Sequence, residues 1–222
     1  MMPSHADSLD DDRHSFVLET LLAAGVRSVL DLGCGGGLLL VRMLRHPQFR
    51  HIVGLERCAL AEARDRCASE DAGERLALLQ GSFTDKDERL TGFDAAVLVE
   101  TIEHVNPNRL SALEQAVFGC YRPPLVLLTT PNAEYNVLYG MAPGEFRHPD
   151  HRFEWTRAKF KTWARGVASR NGYHVLFREI GEPHPTLGRE TQIARFQLEP
   201  ATNCHGLEHQ NRRSNIRLPV KP

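Results

Sequence analysis

The sequence predicts an α/β fold in which a mostly parallel, seven-stranded sheet carries helices on both faces, as in Rossmann-like proteins. Short apolar segments typical of buried strands alternate along the chain with segments rich in helix formers. Such alternation is typical of βαβ units, which build parallel sheets. A glycine-rich turn, DLGCGGG, follows the first predicted strand, where doubly wound sheets bind a nucleotide.

The predicted strands are apolar runs bounded by glycine, proline or polar residues. They are VRSVLDL (26–32), HIVGLE (51–56), LALLQGS (76–82), FDAAVLVE (93–100), PLVLLTTPN (124–132), HVLFREIG (174–181) and TQIARFQLE (191–199). The predicted helices contain mostly helix formers. They are residues 16–24, closed by Gly25, then GLLLVRMLRH (37–46), CALAEARDRCASE (58–70), PNRLSALEQAVFGC (107–120) and TRAKFKTWARGVASRNG (156–172). A loop rich in glycine and proline covers residues 133–152.

Length and composition indicate one globular domain. A chain of 222 residues buries about 70 % of its unfolded surface when it folds as one unit. We expect a flexible N-terminus over residues 1–15, the domain over residues 16–199, and a flexible tail over residues 200–222. The formal charge of −1 does not indicate a polyanionic partner, although local patches could still bind nucleic acid.

Cysteine usage and hydropathy predict a cytoplasmic protein that has no membrane partner. The five cysteines are odd in number and show no C-x-x-C spacing, which favours free thiols in a reducing compartment. No apolar run reaches the roughly 18 residues that span a bilayer, and the first residues do not form a signal peptide.

The glycine turn and the strand ends around it favour S-adenosylmethionine as the ligand. A carboxylate at Asp31 suits an ammonium group and would repel a pyrophosphate, and Leu38 stands where a dinucleotide fingerprint has its last glycine. Glu56, which closes the second strand, is placed to accept hydrogen bonds from two ribose hydroxyls. Two alternatives are that this turn binds NAD, or that the glycines only form a tight turn and bind no ligand. The predicted cofactor-binding residues are Asp31, Gly33, Gly35, Glu56, Ser82 and Phe83.

Two carboxylates and an imidazole directly follow the fourth predicted strand, in the segment VETIEH. Positions i, i+3 and i+4 of a helical turn lie within about 100° of arc, so Glu100, Glu103 and His104 can point the same way. Taken alone, these residues also fit a solvated acidic turn that caps a helix.

A second cluster, RHPDHRFEWTR, offers His148 and His151 from a loop expected over the same sheet edge. Two carboxylates and two imidazoles form a mixed oxygen and nitrogen site, which suits manganese or another divalent transition metal. An incomplete ligand shell leaves room for substrate oxygens, as a catalytic metal requires.

The motifs VETIEH, TTPNAEYN and DHRFEWTR resemble those of the small-RNA 3′-terminal ribose 2′-O-methyltransferases, the HEN methyltransferases. The resemblance spans roughly residues 16–198. It implies a class I S-adenosylmethionine-dependent methyltransferase fold and methylation of the 2′-hydroxyl of the last nucleotide of a small or cleaved RNA. It also implies a divalent metal, Mn²⁺ or Mg²⁺, that binds both terminal hydroxyls. Carried over to this chain, the catalytic and metal-binding residues are Glu100, Glu103, His104 and His151, while His148 becomes a surface residue.

The same resemblance implies an RNA with free 2′- and 3′-terminal hydroxyls as substrate, and RNA-repair or small-RNA-processing proteins as partners. Family members usually end the second strand with Asp, whereas Glu56 here is one methylene longer. Two alternatives stay open: a metal-independent methyltransferase of small molecules, and a non-catalytic module that binds RNA ends.

A basic stretch with interleaved aromatic residues overlaps the second histidine cluster and continues beyond it. Such a stretch suits phosphates and a stacked terminal base, but its aromatic residues could equally anchor the loop in the core. Asn132 lines the acceptor pocket or merely forms a turn after Pro131. The predicted RNA-binding residues are Asn132, Arg152, Phe153 and Arg157, with Arg147, Lys159 and Lys161 completing the basic stretch.

Overall fold

Seven strands form one sheet in the computed structural model, which describes residues 5–200. They are β1 (Ser28–Leu32), β2 (His51–Glu56), β3 (Leu76–Gln80), β4 (Ala95–Leu98), β5 (Leu125–Pro131), β6 (Tyr173–Ile180) and β7 (Thr191–Leu198). The sheet order is β3-β2-β1-β4-β5-β7-β6. The first five strands are parallel, while β7 runs antiparallel between β5 and β6. This sheet confirms the predicted fold class.

Helices cover both faces of the sheet. They are α1 (His5–Ala23), α2 (Leu38–Leu44), α3 (Leu60–Cys67), α4 (Leu110–Glu114), which continues as the π-helical segment Gln115–Tyr121, and α5 (Arg157–Asn171). Short 3₁₀ turns occupy Gly73–Arg75, Glu88–Leu90, Ile102–His104, Pro107–Arg109 and Ala133–Tyr139. No helix within the described part of the chain is both long and apolar enough to cross a membrane.

Two layers of hydrophobic core lie on opposite faces of the sheet. Val29 and Leu30, neighbours on β1, belong to different layers because successive side chains of a strand point to opposite faces. Residues of α1, α2 and α3 pack in the layer of Val29, whereas residues of α4 and α5 pack in the layer of Leu30. All seven residues of β5 are buried, as expected of an inner strand covered on both faces.

Helix α1 differs from its prediction. The sequence predicts a flexible segment over residues 1–15, but the helix already begins at His5. Its first half is polar and lacks an apolar stripe, which is the signal that sequence patterns rely on. Ion pairs hold it instead: Arg13 with Asp10, Arg42 with Asp11, and Arg13 with the distant Glu100. The tail is predicted from residue 200 onward, and residues 201–222 of it lie outside the described part of the chain.

Candidate functional site

A cavity of about 950 Å³ opens at the edge of the sheet where the parallel strands end. One end is lined by the glycine turn after β1, by Glu56 after β2 and by the segment after β3. The other end is lined by the segment after β4, including Glu100 and His104, and by Asp150 and Arg152 from the loop before α5. The predicted cofactor site and part of the predicted metal site therefore share one cavity.

The glycine turn is shaped for close approach by a ligand. Gly33 and Gly35 have φ angles of 86° and 50°, in the left-handed region that side chains rarely adopt. A Cβ atom on Gly33 would lie 2.5 Å from Cγ2 of Thr101. Glycine is therefore required at Gly33 by backbone conformation and by space together.

Asp31, just below this turn, is an unsatisfied buried acid. The residue is 2 % exposed, and Oδ2 has no hydrogen-bond partner among the described residues. Burial, and then the charge of Glu56, raise the pKa of Asp31 to about 7. A buried carboxylate without a partner is costly. An ammonium group at this position would remove that cost, so the residue fits the amino-acid end of S-adenosylmethionine.

Glu56 is held in place by backbone amides. Oε2 accepts a hydrogen bond from Gly35 N at 3.0 Å, and Oε1 accepts from Arg57 N at 2.7 Å and Cys58 N at 2.9 Å. A carboxylate has about four acceptor positions, so capacity remains for a ligand hydroxyl. Beyond it, Ser82 and Phe83 also line the cavity, and Ser82 Oγ lies 2.8 Å from Thr84 Oγ1.

Glu100 is fixed at the end of β4 in a strained conformation. Its φ of 48° places a non-glycine residue in the left-handed region, which costs on the order of 1 kcal/mol or more. Thr129 accepts from Glu100 N at 2.9 Å and donates to Oε1 at 2.8 Å. Arg13 donates to Oε2 at 2.6 Å. Both carboxylate oxygens thus have partners within the protein.

Glu103 lies deeper and keeps one oxygen unpaired. The residue is completely buried, and Oε2 accepts from Thr130 Oγ1 at 2.9 Å. Oε1 finds no hydrogen-bond partner within residues 5–200. Burial, followed by the charge of Glu100, raises the pKa of Glu103 well above its usual range. A cation beside Oε1 would stabilise the ionised form.

Three imidazoles come together from two segments, the turn after β4 and the loop before α5. His104, His148 and His151 each offer a nitrogen, and these atoms lie within 4.8 Å of one another. Within the described part of the chain, these three histidines form the group whose ligand atoms lie close enough for one metal ion. Glu100 and Glu103 do not belong to that group. Burial, and then the charges of His151 and His148, lower the pKa of His104. The structure therefore brings together His104 and His151 as predicted, together with His148.

Two backbone contacts position the loop that carries His148 and His151. Arg152 N donates to Glu103 O at 2.7 Å, and Asn132 forms an isolated parallel β-bridge with Trp155. Nδ1 of His151 lies 2.6 Å from Glu154 Oε1, so its Nε2 remains for a ligand. Burial raises the pKa of Glu154, but hydrogen bonds from His151, Asn136 and a backbone amide outweigh burial and lower it.

The predicted RNA-binding residues divide into structural and accessible ones. Asn132 is fully buried and donates to Leu187 O and Arg189 O, both at 2.8 Å, which favours the turn-forming interpretation. Phe153 is 7 % exposed and stacks on Trp155 with ring centroids 4.3 Å apart. It therefore anchors the loop in the core, and its ring is not accessible to an RNA base.

Arg157 is also engaged within the protein, since it pairs with Glu134 at 2.7 Å and donates to Thr186 O. Arg152 is exposed and lines the cavity. Of the four residues predicted to bind RNA, Arg152 is therefore the one available to a ligand in the cavity.

Sequence reasoning missed Arg13, Thr129, Thr130 and Glu154. Thr129 and Thr130 are buried polar residues that end an otherwise apolar strand, and that pattern could have indicated partners for the acids. Glu154 stands in the motif FEWTR, three positions after His151. No local signal identifies Arg13, because it lies 87 positions before its partner Glu100.

The chain is similar to known proteins across most of its length. Residues 29–123 match the family described as a methyltransferase domain. The chain is 36 % identical over 200 residues to the small RNA 2′-O-methyltransferase of Gallus gallus, covering 83 % of this chain and 52 % of that protein. For the protein of the same name from Xenopus tropicalis the identity is 34 % over 201 residues, covering 85 % and 54 %.

Among solved structures, the methyltransferase domain of bacterial CtHen1-C is 41 % identical, with a TM-score of 0.78. That match covers 86 % of this chain and 100 % of that domain. The chain spans about half the length of the curated relatives it matches. These similarities agree with the resemblance that the E-x-x-E-H and FEWTR motifs carry.

Proposed function

This chain belongs to the family of small RNA 2′-O-methyltransferases, the HEN methyltransferases, and on that premise we propose that it methylates the 2′-hydroxyl of the 3′-terminal nucleotide of an RNA. S-Adenosylmethionine is the proposed methyl donor. The observation that carries the proposal is the single cavity, which reaches from the glycine turn at one end to His104 at the other. Donor and acceptor can therefore meet in one space.

Asp31, Glu56 and the segment after β3 bind the methyl donor at one end of the cavity. Asp31 binds the ammonium group, because its buried Oδ2 has no other partner within the described chain. Glu56 accepts a hydrogen bond from a ribose hydroxyl at its remaining acceptor position, and Ser82 and Phe83 border the adenine. The glycines at the turn let the backbone approach the ligand.

At the acceptor end we propose a site for one divalent cation, Mn²⁺ or Mg²⁺. The nitrogens of His104 and His151 lie close enough for one cation, and the unpaired oxygen of Glu103 becomes a ligand only if the segment after β4 shifts towards them. Glu100 joins them only if it exchanges Arg13 for the cation, since Arg13 and Thr129 occupy its oxygens. When bound, such a cation supplies the Lewis acidity that makes a ribose hydroxyl a better nucleophile.

His104 is the proposed general base, because it lines the cavity shared with the donor, whereas His151 is not among the lining residues. A ring nitrogen of His104 accepts the proton of the 2′-hydroxyl when the cation does not occupy it, since a neutral imidazole has a single free lone pair. The 2′-oxygen forms a bond to the methyl carbon while the bond between that carbon and the sulfonium sulfur breaks. The products are the 2′-O-methyl ribose and S-adenosylhomocysteine.

The proposed substrate is an RNA with free 2′- and 3′-hydroxyls at its end. An internal nucleotide has an esterified 3′-oxygen, and a 3′-phosphate adds bulk and charge where two hydroxyls must fit. Arg152, exposed at the cavity, is the residue we propose for a nearby phosphate. RNA-repair or small-RNA-processing proteins are proposed partners. A cytoplasmic location is proposed from the free thiols of Cys34, Cys58, Cys67 and Cys120.

The test is transfer of a tritiated methyl group to short RNAs that differ only at the 3′ end. We expect label on the 3′-hydroxyl RNA with Mn²⁺, little on its 3′-deoxy and 3′-phosphate counterparts, and loss of label with EDTA. Turnover of a small molecule that EDTA leaves unchanged would support the metal-independent alternative. RNA binding without any transfer in Mn²⁺ would support the non-catalytic alternative.

A further inference from the structure

We propose that His148 is a third nitrogen ligand of the divalent-cation site, together with His104 and His151. The inference deepens the proposed function and rests on its cation site. Ring centroids lie 4.8 Å apart for His104 and His151, 5.8 Å for His104 and His148, and 5.6 Å for His148 and His151. One nitrogen from each ring lies within 4.8 Å of the other two. One ion can therefore touch all three rings after small side-chain rotations.

In two of these rings Nδ1 faces an acidic residue of the same loop. Nδ1 of His151 lies 2.6 Å from Glu154 Oε1. Nδ1 of His148 accepts from Asp150 N at 3.2 Å and lies 3.9 Å from Asp150 Oδ2. A metal-binding imidazole usually donates its second N–H to a carboxylate or carbonyl, which sets its tautomer. We therefore assign Nε2 of His151 to the cation. For His148, binding through Nε2 requires the ring proton on Nδ1, so the ring must turn from the Asp150 amide, from which Nδ1 accepts here, to the Asp150 carboxylate.

The accessibility of His148 also fits a ligand that completes the site on its open side. Its side chain is 54 % exposed, whereas that of His151 is 8 % exposed. His151 is fixed by Glu154, whereas the exposed ring of His148 has space to turn towards an ion once its hydrogen bond from Asp150 N breaks. The residue therefore adds a ligand without adding to the buried charge of Glu100 and Glu103.

Three imidazoles change the kind of cation that the site prefers. The oxygens of Glu100 are engaged by Arg13 and Thr129, and one oxygen of Glu103 is engaged by Thr130. Nitrogen donors therefore outnumber free carboxylate oxygens. Imidazole suits first-row transition metals, whereas Mg²⁺ prefers oxygen ligands. We expect the chain to bind Co²⁺ and Mn²⁺ more tightly than Mg²⁺, and His148 to contribute to that preference.

The experiment is calorimetric titration of Co²⁺ and of Mg²⁺ into the chain without donor or RNA. Three variants are compared with the wild type: His148→Ala, His151→Ala and, as a control, His174→Ala, an exposed histidine on β6 outside the cluster. Even the loss of a residue that only orients a ligand weakens metal binding 10–100-fold. We expect His148→Ala to raise the Co²⁺ dissociation constant by at least about tenfold, with little effect on Mg²⁺, and the control to change neither.

Paramagnetic NMR of the Co²⁺-bound chain gives an independent count of the ligands. Hyperfine-shifted imidazole N–H signals should number three in the wild type and two in His148→Ala. If His148→Ala binds Co²⁺ as the wild type does while His151→Ala does not, His148 is no ligand, yet the proposed cation site stands. If neither variant changes Co²⁺ binding, the cation site of the proposed function is itself refuted.

Discussion

Asp31 combines two properties that oppose each other in the ligand-free protein. The carboxyl group is needed to bind an ammonium group, but it is buried, and one of its oxygens has no partner within the described chain. Burial and the neighbouring Glu56 raise its pKa to about 7. Asp31 thus lowers the folding stability of the ligand-free protein but favours binding of an ammonium group, and acids with shifted pKa values are common in functional sites.

The first prediction concerns Asp31→Asn. The folded chain keeps the Asp31 proton up to about pH 7, while the unfolded chain loses it near the ordinary aspartate pKa of about 4. The stabilising contribution is therefore fully present below pH 4 and lost as the pH rises through 7. We expect the ligand-free variant to be more stable than the wild type at pH 8, on the order of 4 kcal/mol, and similar to it at pH 4. The same variant should fail to bind S-adenosylmethionine.

Urea unfolding at both pH values and calorimetric binding measure the two effects. Asp94→Asn is the matched control. Burial raises the pKa of Asp94, but hydrogen bonds from Arg27 N, Ser28 N and Ser28 Oγ outweigh it and lower the pKa. This variant should be less stable than the wild type at pH 8. A destabilised Asp31→Asn protein at pH 8 would contradict the account given for Asp31.

Gly33→Ala is the second prediction. The new Cβ would lie 2.5 Å from Thr101 Cγ2, and Thr101 is buried, so the segment after β4 must move. We expect a loss of about 3 kcal/mol in the free energy of unfolding, combined with weaker donor binding. Gly25→Ala is the control, because Gly25 has a similar φ of 69° but nothing within 4 Å of its Cβ position. It should lose about 1–2 kcal/mol.

Urea unfolding separates the two glycine variants. If both variants lose the same free energy of unfolding, Thr101 moves aside freely and the contact at Gly33 does not contribute to the destabilisation. A larger loss for Gly33→Ala would instead show that the turn and the segment after β4 form one tightly packed unit.

At the scale of elements, α1 connects the N-terminal part of the chain to the acids after β4. Val17 and Leu21 anchor its second half in the core, and both are fully buried. Its first half depends on Arg13, which is 11 % exposed and pairs with Glu100 at 2.6 Å. The helix and the cavity edge are therefore coupled through one ion pair.

The third prediction is that Arg13→Met loosens the first half of α1. Removal of Arg13 leaves Glu100 partly buried without its cation, which should lower the free energy of unfolding by about 1–3 kcal/mol. Hydrogen exchange should become faster over residues 5–15. Arg42→Met is the control: Arg42 pairs with Asp11 at an exposed site, and such pairs contribute less than about 1 kcal/mol. Unchanged exchange in Arg13→Met would show that the core contacts alone hold the helix.

For the whole molecule, the sheet order places the cavity over the ends of β1 and β4 at its centre. Elements on both faces converge there, since α2 follows the glycine turn and the loop before α5 covers the other end. A ligand in this cavity touches segments that follow β1, β2, β3 and β4. Its binding energy should therefore stabilise the fold as a whole.

The fourth prediction is that S-adenosylhomocysteine raises the melting temperature of the whole domain. At one hundred times its dissociation constant, a ligand adds about 2.7 kcal/mol. For a domain of this size, this corresponds to an increase of about 5–10 °C. Thermal unfolding followed by circular dichroism measures it, and Asp31→Asn should show no increase. A wild-type protein that melts at the same temperature with the ligand would contradict the proposed donor site.

The amino-acid sequence alone determined the sheet and the chemistry at its edge. Buried strands such as β4 are apolar along their whole length, and the glycine turn after β1 is a local steric requirement, so both are visible in short windows. The E-x-x-E-H spacing and the FEWTR motif likewise identified the residues after β4 and the loop histidines.

Only the tertiary structure decided which partners those residues have. Arg13 reached Glu100 across 87 positions, Thr129 and Thr130 took one oxygen of each acid, and His148 joined the other imidazoles. Hydrophobic periodicity and backbone sterics involve only a few neighbouring residues, so a short stretch of sequence is enough to predict them. Ion pairs and ligand clusters depend on how distant segments pack, and a hydrogen bond or a metal site forms only when that packing brings its atoms within a few ångströms.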